Sequence, residues 1–177
     1  MNVAAHLLEP LQVKFGALVT GSKLDAIDPW IEVSPAGLVE IGRFLKADPP
    51  WQFNMLNCIS GIDYLHTDPK KAAKAGWEPH LLVVYHLSSL THKHSLVLKV
   101  KLPRWKDGHV GQIPELPSVT DIWKTALWHE REVYDLSGVF FTGHPDLRRM
   151  LCPEDWVGHP LRKDYEMPLE YHGIRSR

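Results

Sequence analysis

The sequence lacks several of the things that usually announce a function. Its 177 residues hold two cysteines, Cys58 and Cys152, far apart, with no C-x-x-C pair and no secretory leader in front of them. That excludes a disulfide framework and suits a reducing cytoplasm. The longest apolar stretches, such as "HLLVVYHLSSL", fall short of the roughly 20 residues that a membrane-spanning helix needs, so membrane contact is expected only through partners. Neither charge dominates: 20 Lys and Arg stand against 21 Asp and Glu, a formal net charge of -1, with both signs mixed along the chain. A nucleic-acid binder usually shows a basic excess somewhere, so the balance argues against nucleic acid as a ligand. There is no G-x-S-x-G, no glycine-rich phosphate loop and no internal repeat.

What is present is a globular composition, 44% hydrophobic and 23% charged, with length for one domain and some extension beyond it. Residues 2–14 read as a short amphipathic helix, and 18–33 as two short strands around Gly21 and Asp28-Pro29. Ser34 suits an N-cap and Pro35 the first helical position. Leu38, Ile41, Phe44 and Leu45 then form one apolar face until Asp48 to Pro50 stops the helix. From Phe53 the period becomes two, with Phe53, Met55, Asn57 and Ile59 alternating against Asn54, Leu56 and Cys58. Residues 61–79 read as a connection with a solvated lysine cluster. "HLLVVYHL" and "SLVLKVKLP" form an antiparallel hairpin that buries Leu96, Leu98, Val100 and Leu102. After a loop over 103–117, Ser118-Val119-Thr120-Asp121 has capping-box spacing and opens a helix through Tyr134 that Gly138 closes. The expected fold is α+β: a two-layer core domain over 1–138, with a mainly antiparallel sheet and helices on one face, and an extended irregular tail over 139–177.

The densest chemistry lies in "WHEREVYDLSGVFFTGHPDLRR", from Trp128 to Arg149. Helical phase places Glu130 among Ala126, Leu127, Val133 and Tyr134, where a carboxylate needs a cationic or hydrogen-bonding partner. Arg131 and Asp135, four apart on a flank, can pair with each other. Trp128 points away from the core as a candidate interface anchor. A zinc hydrolase motif would need a second imidazole at residue 133, where valine stands. His144, Cys152 and His159 could converge as a metal site, or His144 and His159 with nearby acids could serve a small free-standing enzyme, but histidines in proline-containing loops are more often structural. Glu130 and Glu132 point roughly 160° apart and cannot flank one substrate.

The tail contains Pro145, Pro153, Pro160 and Pro168 and many apolar side chains without a regular period. It is too long for a free loop and too apolar for a solvated one. Either it wraps back over its own domain or it lies on another subunit, and the residues alone leave both open. Arg148, Arg149, Arg162 and Lys163 could meet RNA phosphates, but Asp146, Glu154, Asp155 and Asp164 stand beside them, which fits protein contacts better.

"WHEREVYDLSGVFFTGHPDLRRML", followed by "PEDWVGHPLRKDY", closely resembles the signature of the C subunit of respiratory complex I, the proton-pumping NADH:quinone oxidoreductase. The match is dense over 128–165, while residues 34–102 agree in pattern only. Its helix part is Glu130, Arg131, Glu132, Tyr134 and Asp135. The loop part is Gly143, His144, Pro145, Asp146, Leu147, Arg148 and Arg149, and the tail part Gly158, His159, Pro160, Leu161, Arg162, Lys163 and Asp164. The resemblance implies a structural subunit of the peripheral arm, in its quinone-connecting module on the cytoplasmic side of the bacterial inner membrane. It implies no catalytic, metal or cofactor site here, with flavin, iron-sulfur clusters and quinone on other subunits. The tail would run over the D subunit, whose own surface helps form the quinone site, with Trp128, Trp156 and the arginines at that contact; this favours the intersubunit alternative. Two departures stand out: Ser137 replaces the bulky side chain that many members carry, and the chain ends soon after Tyr165. Complexes fed by ferredoxin or linked to hydrogenases share such a subunit, so the resemblance does not specify the electron donor.

Overall fold

A computed structural model describes residues 2–175. Helix α1 spans Val3–Phe15, capped by the Asn2 side chain, which accepts the Ala5 N–H. Strands β1 (Val19–Lys23) and β2 (Trp30–Val33) follow, then α2 (Leu38–Ala47). The Ser34 hydroxyl does cap, but the helical turn that it opens, Pro35–Gly37, is a tighter one preceding α2. Strands β3 (Met55–Tyr64), β4 (His80–Ser89) and β5 (His94–Pro103) complete a five-stranded sheet in the order β1-β2-β5-β4-β3. Every pairing is antiparallel except β2 with β5. The fold is therefore α+β with a mainly antiparallel sheet, as the pattern of the sequence implies.

One sheet face carries Ile31, Val33, Ile59, Leu81, Val83, Tyr85, Leu87, Leu96, Leu98, Val100 and Leu102 into a core shared with α1 (Leu7, Leu11), α2 (Ile41, Leu45) and, after a further short helix, α4 (Ala126–Ser137; Val133). The expected period over β3 fails. Leu56 and Ile59 are buried and Met55 is exposed, because an irregularity between Leu56 and Cys58 shifts the phase of the strand. β3 also runs on to Tyr64, and the rest of the expected connection contains that short helix, α3 (Pro69–Ala75), capped by Asp68 and ended by Gly76 in the left-handed conformation.

The expected start of the signature helix is also wrong. Residues 118–125 form turns, and the helix begins at Ala126. Ser118 and Val119 spend their donors on Glu130. Trp123 Nε1 donates to the Phe53 carbonyl (2.8 Å), Thr125 Oγ1 to Leu56 (3.0 Å), and Lys46 Nζ to Ile122. These bonds across the fold hold the segment against the sheet edge in a shape no straight helix could keep. Gly138 does close α4, at φ 70°, its N–H reaching the Val133 and Tyr134 carbonyls. Beyond it the core continues past residue 138: β6 (Glu115–Pro117), inside the expected loop, pairs in parallel with β7 (Phe140–Thr142), which buries Phe141. A small hairpin of β8 (Glu170–Tyr171) and β9 (Ile174–Arg175) ends the described chain.

Candidate functional site

Glu130 is fully buried, with Oε2 accepting from the Ser118 hydroxyl (2.6 Å) and Oε1 from the Val119 N–H (2.7 Å). Its partners are neutral donors rather than a cation. Burial raises its pKa from 4.5 to about 7, against the pull of those two hydrogen bonds. The hydroxyl of Tyr85, itself in the core, has no hydrogen-bond partner among the described residues, and burial with the nearby Glu130 charge pushes its pKa well up.

Asp135 and Arg131 do not pair with each other, and neither lies on a flank; both are buried. The Asp135 carboxylate is the anchor of the tail. Oδ1 accepts from Arg149 Nη1 at 2.6 Å, and Oδ2 from three successive backbone N–H groups, Met150 (3.0 Å), Leu151 (2.7 Å) and Cys152 (2.9 Å). Burial would raise its pKa, but the three N–H groups and Arg149 overcome that and hold it at about 2. Arg149 also donates to the Gly158 carbonyl, while Arg131 donates to the carbonyls of Arg148 and Arg149 and lies 5.1 Å from the Trp128 ring centre. Helical phase puts Asp135 on a flank because it cannot register that a loop fifteen residues later folds over it.

A second anchor joins the tail to the sheet. Arg104 binds Asp63 through two parallel bonds of 2.8 Å and Asp164 through a third of 2.7 Å, and the Lys163 N–H donates to Asp63. Arg162, buried, donates to the carbonyls of Ser137, Gly138 and Arg104 and stacks 4.0 Å from the centre of Trp105. Nothing in the sequence marks Asp63, Arg104 and Trp105 as part of this site. The first lies in an expected connection and the others in an expected loop, and no local pattern ties them to residues 60 or 100 positions away.

The two histidines are bonded separately. His144 Nε2 meets the Leu127 carbonyl (3.1 Å) while its Nδ1 accepts the Asp146 N–H; His159 Nδ1 meets the Asp135 carbonyl (3.0 Å). Burial lowers the pKa of both, which favours neutral rings. His144, Cys152 and His159 form no metal-ligand group among the described residues. A Cβ on Gly138 would lie 2.5 Å from the His159 ring, and one on Gly61 2.7 Å from the Ser137 Cβ. Ser137 is thus small because α4 crosses β3 at a glycine. Tyr134 stands edge-on to Phe140 and His159. Arg148 holds the exposed Asp146, and Gly143 turns the loop at φ 80°. Glu132, Pro145, Leu161 and the Lys163 side chain face outward, as does Trp128, which is 58% exposed. Trp156 is half-buried against Tyr171, and Pro160 is half-buried beside His159.

These contacts define an α+β domain with a C-terminal segment strapped to its own helix and sheet through Asp135, Arg149, Arg162 and Asp164, with several of the segment's apolar side chains left outward. A family model described as "Respiratory-chain NADH dehydrogenase, 30 Kd subunit" matches residues 31–171. Relatives that are each, by name, the C subunit of an NADH-quinone oxidoreductase include those of Roseiflexus sp. (42% identical, over 94% of this chain and 86% of the relative), Chlorobium phaeobacteroides (43%, over 92% and 88%) and Chloroherpeton thalassium (40%, over 93% of this chain but 62% of the relative). A solved trypsin-resistant fragment of Nqo5 is 31% identical, with a TM-score of 0.61, over 83% of this chain and all of that one. The membrane-bound sulfane sulfur reductase, an archaeal respiratory membrane complex, contains a chain of the same fold, 23% identical with a TM-score of 0.69, over 93% of this chain and 86% of that one. The chain belongs to the family of the 30 kDa subunit of the respiratory-chain NADH dehydrogenase, and so is part of a larger oxidoreductase complex rather than a free-standing enzyme.

Proposed function

We propose that the chain is a non-catalytic structural subunit of a membrane-bound, proton-translocating NADH:quinone oxidoreductase, held at the cytoplasmic side of the bacterial inner membrane by its partners. Flavin, iron-sulfur clusters and quinone belong to other subunits. The outer surface of the strapped tail docks on the neighbour that helps form the quinone site, the D subunit, close to that site. One observation carries this reading. Leu151, Val157, Leu161, Met167, Leu169 and Ile174 are exposed within 24 residues, and Trp128 and Phe140 are exposed as well, while Arg149, Arg162 and Asp164 are bonded to the domain beneath. Such concentration of apolar side chains on one segment is the mark of a protein interface. No helix among the described residues is long and apolar enough to cross a membrane, so attachment through neighbours fits.

The test is co-purification. A tagged chain is expected to bring down the quinone-site neighbour, and Val157→Asp with Leu161→Asp to lose it while the isolated variant still unfolds as the parent does. The purified chain alone is expected to show no flavin or iron-sulfur absorbance and no NADH oxidation. A stoichiometric cofactor on the isolated chain, or undiminished capture of that neighbour by the double variant, would overturn the reading.

A further inference from the structure

The sheet has a second face. Helices α1, α2 and α4 share the core with one side of it, yet β4 is apolar on both: Leu81, Val83 and Tyr85 enter the core, while Leu82 and Val84 are buried on the opposite side outside that cluster. A strand apolar on both sides is the pattern of a sheet covered on both. Over Leu82 lies a cavity of about 250 Å³ walled by Trp30, Tyr64, Trp77, His80, Lys99 and Lys101. It shares Tyr64 and Trp77 with a neighbouring cavity of about 310 Å³, to which Asp63, Asp68, Lys71 and Lys163 contribute.

The charges of this joined groove are not balanced from within. Asp63 is paired with Arg104, which leaves two carboxylates against the groove's four lysines: Asp68, which accepts the Lys70 N–H, and Glu32, which accepts from the Thr20 hydroxyl. The ammonium groups of Lys71, Lys101 and Lys163 make no ion pair among the described residues, and Lys99 Nζ lies over the Trp30 ring at 4.2 Å with Glu32 as its nearby charge. We infer that this groove is a second docking surface, occupied in the assembled complex by an acidic segment of another subunit. That segment presents carboxylates to Lys71, Lys99, Lys101 and Lys163 and an apolar side chain to the aromatic walls above Leu82. Charge complementarity selects such an occupant. Single-stranded nucleic acid would meet the same rings and lysines, but the chain as a whole has no basic excess. The inference rests on the chain being part of a complex, not on which neighbour its tail touches.

The experiment is carbodiimide crosslinking of the purified complex, which joins a lysine to a carboxylate only when the two are in contact, read by mass spectrometry. At least two of the four lysines are expected to join Asp or Glu residues in one segment of another chain. In a complex carrying Lys99→Met and Lys101→Met, the yield from Lys71 and Lys163 should fall at least threefold. Crosslinks confined to this chain, a yield unchanged by the double variant, or binding of a 20-nucleotide RNA to the complex that the double variant abolishes would each overturn it. Loss of the quinone-site neighbour from a tail variant whose lysine crosslinks persist separates this surface from the one proposed for the tail.

Discussion

Glu130 makes a carboxyl group in the middle of the core into a measurable quantity. Its pKa is about 7 in the folded chain against an ordinary 4.5. When the folded-state pKa of an acid is raised, folding is most stable where both states are protonated, below about pH 4.5, and weakens as pH rises through 7. At about 1.4 kcal/mol for each tenfold step, the full loss is about 3 kcal/mol. Glu130→Gln keeps a carbonyl oxygen to accept the Val119 N–H and an amide that the Ser118 oxygen can accept, but it cannot ionise. The assay is urea unfolding followed by tryptophan fluorescence at pH 5 and pH 8, parent and variant side by side. Every other ionisable group is common to both proteins, so the informative quantity is the difference between them. The parent is expected to lose about 2–3 kcal/mol more than the variant between the two pH values. A difference that stays constant from pH 5 to 8 would falsify the buried, cation-free environment assigned to Glu130.

Asp135 has the opposite sign. Held at about 2 rather than 3.8, it contributes stability that is fully present above pH 4 and lost as pH falls toward 2, which Asp135→Asn should abolish in acid unfolding curves. Asp135→Ala leaves Arg149 and three backbone N–H groups facing a buried void, and should cost about 3–5 kcal/mol in urea unfolding. Gly138→Ala combines a left-handed φ of 70° with a Cβ 2.5 Å from the His159 ring; a loss of at least about 1 kcal/mol is expected, and an unchanged melting temperature would contradict that contact. Arg162→Lys keeps the charge but cannot reach three carbonyls at once, so limited proteolysis should begin to cut after residue 158 in the variant and not in the parent.

The legible part of this fold was the part with a period. Leu96 to Leu102 alternate without interruption and the hairpin followed, and Leu38, Ile41 and Leu45 marked α2. Legibility ended where side chains divert the backbone. Ser118 has the spacing of a capping box, yet its hydroxyl goes to Glu130 twelve residues on, and the helix starts eight residues later. The shift at Leu56–Cys58 reverses the faces of β3 for the same kind of reason, a local geometry that alternation alone cannot register. At the site, the inward phase of Glu130 and the outward phase of Trp128 followed from helical spacing. The roles of Asp135, Arg149 and Arg162 depend on contacts with Cys152, Gly158 and Arg104 that no window of sequence contains.

The inward bonding of the tail also bears on how it could hold a neighbour. A segment with no regular structure that orders only on docking loses much of its interaction energy to that ordering, about 2–5 kcal/mol for coupled folding and binding. Here the ordering is done beforehand: Asp135 gathers residues 149–152, and Arg162 and Asp164 tie the next stretch to the ends of α4 and β5. The apolar side chains left outside, Leu151, Val157 and Leu161, are then presented on a prepared surface. Removing an anchor that never touches the partner should therefore weaken docking. If the tail docks as proposed, Asp135→Asn is expected to lower the affinity for the proposed quinone-site neighbour at least tenfold in a surface-binding assay, with the amide protons of residues 150–152 exchanging faster in the free variant. An unchanged affinity alongside faster exchange would mean that docking orders the tail by itself and that the internal anchors serve only the fold.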